Sequence, residues 1–156
     1  MYEYRCTIRR VVDGDTVDVD INLGFDVILA NQRIRLFGMD TPESRTRDLI
    51  EKQYGNLAKH YVEAMMPVGS SQTLETVKDD SKGKYGRILG KFVVTDHQSD
   101  TPNVDAYLHD IMVREHLAVR YFGQSKDDVE SEHLENRLAL SADLFHSLAP
   151  LLGKVK

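Results

Sequence analysis

Residues 5–21 read RCTIRRVVDGDTVDVDI, and this stretch decides the fold. Two β-branched segments, 5–12 and 16–21, flank a short Asp-Gly-Asp sequence, and apolar residues alternate with aspartates from Val17 to Ile21. Strict alternation is typical of a strand with one buried face, and Asp-Gly is a frequent hairpin turn. The stretch therefore predicts a β-hairpin.

The remaining elements follow from the same kind of pattern. Apolar segments predict further strands at 27–29, 33–37, 72–77 and 87–95, and helical spacing marks residues 54–66. Asn103 is expected to cap a second helix running to about Leu117. A third helix opens on a capping box from Asp127 to Glu130 and carries an apolar stripe expected to face the barrel: Leu134, Leu138, Phe145, Leu148 and Leu152.

Helices are expected after the third strand and after the fifth strand. This order of short strands and helices predicts an α+β fold. We expect a five-stranded OB-type β-barrel with three packed helices, forming one domain over residues 1–156. Folds of this type often present one face to nucleic acid, but a fold alone does not specify a function.

The composition is that of a globular protein. The chain of 156 residues is 41% hydrophobic and 29% charged, and it has no continuous apolar tract long enough to span a membrane. One cysteine cannot form an internal disulfide, and the first residues lack the apolar core of a signal peptide. We therefore expect a cytoplasmic location and no membrane partner.

The charge is unevenly distributed along the chain. The net charge is −5, which by itself argues against a polyanionic partner. Residues 78–91, however, contain five basic and two acidic residues, whereas residues 127–143 contain six acidic residues and one basic one. The acidic segment is either a solvated helix face or a surface that repels nucleic acid and keeps binding at the basic edge.

Carboxylates recur at two expected chain reversals. Asp13 and Asp15 lie in the hairpin turn, and Asp40 and Glu43 follow a strand. Such hard oxygen ligands suit calcium or magnesium, although an Asp-Gly turn is also a common purely structural feature. Phosphodiester hydrolysis needs a cation, guanidinium donors and a base that activates water. Two arginines, at positions 35 and 87, supply the donors, and Glu43 is the candidate base.

Three motifs in the same order resemble the staphylococcal nuclease (thermonuclease) family. They are Asp13-Gly14-Asp15-Thr16, the segment from Arg35-Leu36 to Asp40-Thr41-Pro42-Glu43, and Lys84-Tyr85-Gly86-Arg87. The resemblance covers residues 5–122 by motif and the last helix by pattern. Two departures are a longer hairpin over residues 22–31 and Gly83 in place of an acidic residue.

The resemblance implies a calcium-dependent, sugar-nonspecific endonuclease. Such an enzyme would cleave single-stranded DNA and RNA as a monomer and leave 3′-phosphates. Calcium would be ligated by Asp15, Asp40 and the backbone carbonyl of Thr41, with Asp13 nearby. The resemblance makes Glu43 the general base, Arg35 and Arg87 the groups that bind phosphate and stabilise the transition state, and Lys84 and Tyr85 the contacts to a terminal phosphate.

Geometry adds one requirement to this assignment. Five residues of straight strand span roughly 17 Å, too far for Arg35 and Asp40 to share a phosphate. The chain must bend between them, and Gly38 is the residue where a bulge or sharp coil is expected.

Some assignments stay open. Tyr121 would either stack on a base or serve as an ordinary core or surface tyrosine. The six histidines show no metal-binding spacing and are expected to be structural or exposed. The alternative function is a noncatalytic OB-type module that binds nucleic acid or a protein.

Overall fold

The computed structural model describes residues 2–77, 88–96 and 104–152. The strands are β1 (Tyr2–Asp13), β2 (Thr16–Gly24), β3 (Val27–Leu36), β4 (Met39–Asp40), β5 (Ser71–Thr76), β6 (Ile88–Asp96), β7 (Val104–Tyr107) and β8 (Val119–Arg120). The helices are α1 (Leu49–Met65), α2 (Leu108–Arg114) and α3 (Lys126–Leu152).

The main sheet closes into a barrel. Its strands run in the order β3-β2-β1-β5-β6-β7, and a parallel pairing of β3 with β6 joins the sheet to itself. Within the described residues this leaves β1, β2, β3, β5 and β6 as the barrel, β7 as an extension of β6, and β4–β8 as a separate two-stranded sheet. The predicted α+β fold, an OB-type barrel with three helices, is confirmed.

Alternating residues of the first hairpin form much of the core. Val17, Val19 and Ile21 are at most 2% exposed, as their spacing predicts, and they belong to the same core cluster as Ile8 of β1 and Phe92 of β6, both fully buried. A closed barrel has this one interior, so a one-residue slip in β2 would turn its apolar side chains outward.

The third strand is longer than the sequence pattern indicates. Residues 27–29 and 33–37 were expected to be separate strands, but β3 runs without interruption from Val27 to Leu36. Asn31 has a left-handed φ of 53°, its N–H donates to Asp20 at 2.9 Å, and the register with β2 shifts there. This local irregularity interrupts the alternation of the side chains along β3, on which the prediction from sequence depends. The pairing of β3 with β2 continues on both sides of it.

Helix α1 begins earlier than predicted. Its expected start was residue 54, but the Asp48 side chain caps the helix by accepting hydrogen bonds from the N–H groups of Ile50 and Glu51. Leu49 and Ile50 in the additional first turn are exposed. The spacing of buried apolar residues therefore could not indicate that the helix begins there.

The segment after residue 103 was assigned wrongly at its start. Residues 104–107 form β7, paired with Val93–Asp96 of β6, and only Leu108–Arg114 is helical. The open edge of β6 offers this segment backbone partners that a sequence pattern cannot show. Asn103, the expected cap, lies outside the described residues.

The prediction that Leu134 and Leu138 of α3 lie on a buried stripe is also wrong. Leu134 and Leu138 are 50% and 74% exposed. The helix begins at Lys126, and Ser125 caps it by accepting the Asp128 N–H on its Oγ at 3.1 Å. The inner face of the helix carries Val129, His133 and Leu140. Among the described residues, no helix is long and apolar enough to cross a membrane.

Candidate active site

The hairpin turn between β1 and β2 fits closely against the rest of the site. A Cβ atom added to Gly14 would lie 2.9 Å from the Ala58 side chain and 3.0 Å from that of Thr41. These separations are too short for any larger residue without movement of a neighbour. Gly14 therefore allows the turn to pack between α1 and the Thr41 segment, which brings Asp15 beside that segment.

The bend predicted at Gly38 is present and brings Arg35 to Asp40. Gly38 has a φ of +80°, a conformation open to glycine, and β3 ends at Leu36 before the chain turns into β4. Arg35 Nη2 consequently lies 3.4 Å from Asp40 Oδ1. The bend expected from strand geometry is confirmed.

Arg35 joins the two acidic segments. Its Nη1 lies 3.0 Å from Asp15 Oδ2 and 3.3 Å from the backbone oxygen of Asp15, and its side chain is 18% exposed. The backbone of Arg35 is paired with both Thr16 of β2 and Leu89 of β6. The two strands hold the backbone at this position, and the guanidinium reaches the carboxylates of both Asp15 and Asp40.

Asp15 is a buried carboxylate. Burial raises the pKa of the Asp15 carboxyl, and the attraction of Arg35, which opposes this shift, does not cancel it. Repulsion from Asp13 and Asp40 adds to the increase. Asp15 also accepts from Thr16 Oγ1 at 3.0 Å and from the Thr41 N–H at 3.4 Å. The turn thus holds negative charge where a nearby positive charge would be favourable.

Asp40 is contacted from two sides. One oxygen faces Arg35, and the other lies 2.8 Å from His133 Nε2 of α3. The short β4–β8 pairing, with Asp40 opposite Val119, fixes the backbone at this point. The contact with His133 was not anticipated, since the histidines were expected to be structural or exposed. Its only sequence signal is weak: His133 follows Val129 by four residues on the inner face of α3.

Thr41 and Glu43 continue the site from Asp40. Thr41 is 3% exposed, and its Oγ1 is buried without a hydrogen-bond partner among the described residues. The N–H of Glu43 donates to Glu51 Oε1 at 3.4 Å. Partial burial, followed by repulsion from Asp13, Asp15 and Asp40, raises the pKa of Glu43.

The backbone of Glu43 rests directly on α1. A Cβ atom added to Gly55 would collide with the Glu43 carbonyl and would lie 2.7 Å from the Ser44 nitrogen. Glycine at position 55 is therefore required for this close approach. The helix fixes the Glu43 segment against the acidic turn.

The structure thus brings together Asp15, Arg35, Asp40, Thr41 and Glu43. Arg87, Lys84 and Tyr85 lie outside the described residues. In the ranges 2–77, 88–96 and 104–152, no three His, Cys, Asp or Glu side chains converge as a ready-made metal site. The ligand set implied by the resemblance uses two side-chain carboxylates and one backbone carbonyl, so it does not require such a group.

Clefts lie on either side of Asp40 and Arg35. One, of about 760 Å³, is bordered by Asp40, Glu43 and the inner face of α3. Another, of about 700 Å³, begins at Arg35 and is lined largely by apolar and aromatic side chains. Tyr121 is 46% exposed and lines both clefts. Its backbone N–H donates to the Gly38 oxygen at 2.9 Å, which fixes it beside the bend.

The aromatic cleft also contains cationic and imidazole groups. Lys91 Nζ lies 5.2 Å from the ring centre of Phe37 and 5.1 Å from that of Tyr107. His109 stacks on Tyr107 at 5.3 Å between ring centres, and burial lowers the pKa of this histidine. The cleft can therefore accept a flat aromatic ligand that carries negative charge.

Comparisons with known proteins find similar sequences in a family of nuclease homologues. Residues 33–140 match the family described as "Staphylococcal nuclease homologue". The chain is 30% identical to "Endonuclease YhcR" of Bacillus subtilis over 103 residues, which cover 63% of the chain and 8% of that protein. It is 34% identical to a "Thermonuclease" of Staphylococcus intermedius over 83 residues, 53% of the chain and 44% of the relative.

A longer match extends over most of the chain. The similarity to a "Micrococcal nuclease" of Shigella flexneri is 29% identity over 151 residues, covering 90% of the chain and 75% of that protein. The chain spans less than half the length of the endonuclease and thermonuclease relatives described above.

Proposed function

Because the chain belongs to the family of staphylococcal nuclease homologues, we propose that it is a calcium-dependent endonuclease that cleaves DNA and RNA to leave 3′-phosphates. Similarity to proteins named as nucleases supports phosphodiester hydrolysis in general. The observation that carries the proposal is the position of Arg35, which lies between the carboxylates of Asp15 and Asp40. We treat residues 1–156 as one nuclease-like domain.

The residues present fit a hard divalent cation. Asp15, Asp40 and the Thr41 carbonyl would hold it, and all three offer oxygen atoms of the kind calcium prefers. The raised pKa of Asp15 and the unpartnered Thr41 Oγ1 both mark a place where added positive charge or a polar ligand would be favourable. When bound, calcium supplies positive charge next to the phosphoryl oxygens.

Glu43 is the proposed general base. A base works best when its pKa lies closer to the working pH, and partial burial together with nearby carboxylates moves the pKa of Glu43 upward. The contacts of its backbone with Gly55 and Glu51 limit the positions from which it can approach a water molecule. In this proposal Glu43 accepts the proton of the attacking water.

Arg35 would bind the scissile phosphate. Its two Nη atoms lie near different carboxylates, so its fork of donors is oriented before substrate arrives. The same role for Arg87 rests on the resemblance alone. Together the two arginines would stabilise the charge that accumulates on the equatorial oxygens in the transition state.

The substrate would enter as an unpaired strand. Tyr121 and the aromatic cleft beside Arg35 offer stacking surfaces that only an unstacked base can use. Lys84 and Tyr85 are proposed to contact a terminal phosphate, and the enzyme is proposed to act as a monomer. These features favour single-stranded DNA and RNA as substrates.

The decisive experiment is hydrolysis of a single-stranded oligonucleotide by the wild type and by Glu43→Gln. Each protein is assayed with calcium, with magnesium and with a chelator, and the product ends are identified. We expect cleavage by the wild type with calcium only, 3′-phosphate products, and a loss of at least 100-fold in the variant. Gln53→Ala, on an exposed position of α1, serves as the control and should keep wild-type activity.

The same assay can also identify the alternative function. A folded wild type that binds the oligonucleotide but leaves it intact with every cation tested would identify the noncatalytic binding module. Equal rates for the wild type and Glu43→Gln would overturn the assignment of the base while leaving the nuclease in place.

A further inference from the structure

The last helix contributes a hydrogen bond to the proposed calcium site. His133 Nε2 lies 2.8 Å from Asp40 Oδ2, and the imidazole side chain is 11% exposed. We propose that His133 is a positioning residue that fixes the Asp40 carboxylate for calcium binding. This inference rests on the proposed function, because it assumes that Asp40 is a calcium ligand.

The chemistry of the two groups defines the direction of this bond. An ionised carboxylate can only accept hydrogen bonds, so His133 Nε2 must carry the hydrogen and donate it. The other ring nitrogen, Nδ1, is buried without a partner among the described residues. An unpaired N–H there would be costly, so the neutral ring carries its hydrogen on Nε2.

Donation from His133 orients the carboxylate of Asp40. With Oδ2 held by the imidazole, Oδ1 remains on the side of Arg35, at 3.4 Å. Rotation of the carboxylate would break the shorter of these two contacts. The orientation of the Asp40 carboxylate is therefore fixed before a cation arrives. Because the side chain is already ordered, less entropy is lost when the cation binds.

The imidazole is itself held in a rigid frame. Val129, one turn earlier on α3, is buried, and Asn136 Nδ2 donates to the Ala118 oxygen at 3.1 Å. Ala118 directly precedes β8, the strand that pairs with Asp40. Helix and carboxylate are thus fixed to the same short sheet, so their separation is set by secondary structure rather than by loops.

The expected size of the effect follows from metal sites in general. Outer hydrogen bonds to metal-binding side chains typically change metal affinity by 10–100-fold when they are removed. The proposed site has only two side-chain carboxylates. Misorientation of one of them therefore weakens a large part of the protein's contribution to calcium binding. His133 should therefore act on calcium affinity more than on the chemical step.

The test compares three variants of the whole chain. His133→Leu fills most of the space but has no donor, and His133→Gln places an amide donor close to the position of Nε2. His60→Leu removes an α1 histidine whose side chain is 73% exposed and is the control. Calcium affinity is measured by isothermal titration calorimetry without nucleic acid, and kcat and KM are then measured on an oligonucleotide at saturating calcium.

We expect His133→Leu to weaken calcium binding by roughly 10–100-fold. Its kcat at saturating calcium should stay within a few-fold of the wild type, and its melting temperature in chelator should change little. His133→Gln should recover most of the calcium affinity, and His60→Leu should match the wild type. If the leucine variant does not fold, His133→Asn, whose amide is too short to reach Asp40, takes its place with the same expected weakening.

Two results would overturn the inference. In the first, a folded His133→Leu or His133→Asn variant binds calcium as tightly as the wild type. In the second, His133→Gln loses as much calcium affinity as those variants do. A wild type that binds no calcium would instead overturn the proposed function, and the inference with it. Calorimetry of the wild type thus separates the two failures.

Discussion

At the scale of single residues, Cys6 shows how burial links stability to pH. It lies in β1 between β2 and β5 and is 2% exposed. Burial raises the pKa of the Cys6 thiol from 9.0 to about 11. The folded state therefore holds its proton more tightly than the unfolded state, so stability is intact below pH 9 and declines as the pH rises towards 11.

The corresponding prediction compares the wild type with Cys6→Ala. The free energy of unfolding of the wild type should fall relative to that of the variant by roughly 1 kcal/mol near pH 10. Chemical denaturation across alkaline pH measures this difference. Parallel pH profiles for the two proteins would contradict the assigned thiol pKa, whereas a constant offset between them reflects only the packing lost with the sulfur atom.

Residues of the site differ in how far sequence could predict them. Arg35, Asp40 and the bend at Gly38 followed from ordered motifs and from the length of a strand, and the structure brings Arg35 and Asp40 together. His133 could not be found in this way, because it comes from α3, 93 positions after Asp40. Its position depends on which face of α3 is buried, and sequence spacing indicated the wrong face.

At the scale of elements, helix α1 is a support for the proposed base. Gly55 lies inside this helix, where alanine would normally stabilise by about 1 kcal/mol. Here a methyl group would meet the backbone of Glu43 and Ser44. Backbone atoms in a short connection cannot withdraw as the end of a flexible side chain can, so the Glu43 segment must move.

We therefore predict that Gly55→Ala lowers activity more than helix propensity alone would suggest. A displacement of about 1 Å at the base would reduce kcat on the order of 100-fold, and the strain would lower the free energy of unfolding by about 1–3 kcal/mol. Oligonucleotide cleavage and thermal unfolding measure these effects. Gln53→Ala, on the exposed side of the same helix, is the matched control, and equal behaviour of the two variants would refute the role of Gly55.

Elements were predictable where one face is buried and the pairing is local. The first hairpin has both properties, and its alternation survives in the core. The segment 104–107 pairs locally but has no buried face, so its strand character comes from the backbone partners at the edge of β6 and not from an apolar pattern. The apolar residues Leu134 and Leu138 of α3 remain exposed, so a search for the buried stripe by hydrophobicity selected the wrong residues.

At the scale of the molecule, the distribution of charge should restrict where nucleic acid binds. Asp127, Asp128, Glu130 and Glu132 are exposed on the first turns of α3, and Glu130 lines the cleft beside Asp40. Negative charge at this border would repel a phosphate backbone that strays from the aromatic cleft, and salt would screen the repulsion.

Amide replacements of these four acids should raise the affinity for single-stranded DNA by a few-fold at low salt. The measurement is fluorescence anisotropy in a Glu43→Gln background, which prevents cleavage during the titration. The increase should vanish at high salt, where screening removes the difference. Unchanged affinity at low salt would identify the acidic segment as an ordinary solvated face.

The barrel closure has a consequence for the order of events in folding. Arg35 is held in register by β2 on one side and by β6 on the other, and β6 lies far along the chain from β3. Contacts between distant segments form late because closing a long loop costs entropy before the pairing repays it. A folding intermediate with the early hairpins alone would leave Arg35 free on one side. In the proposed nuclease, cleavage would therefore require the completed barrel, so an incompletely folded chain would not cleave nucleic acid.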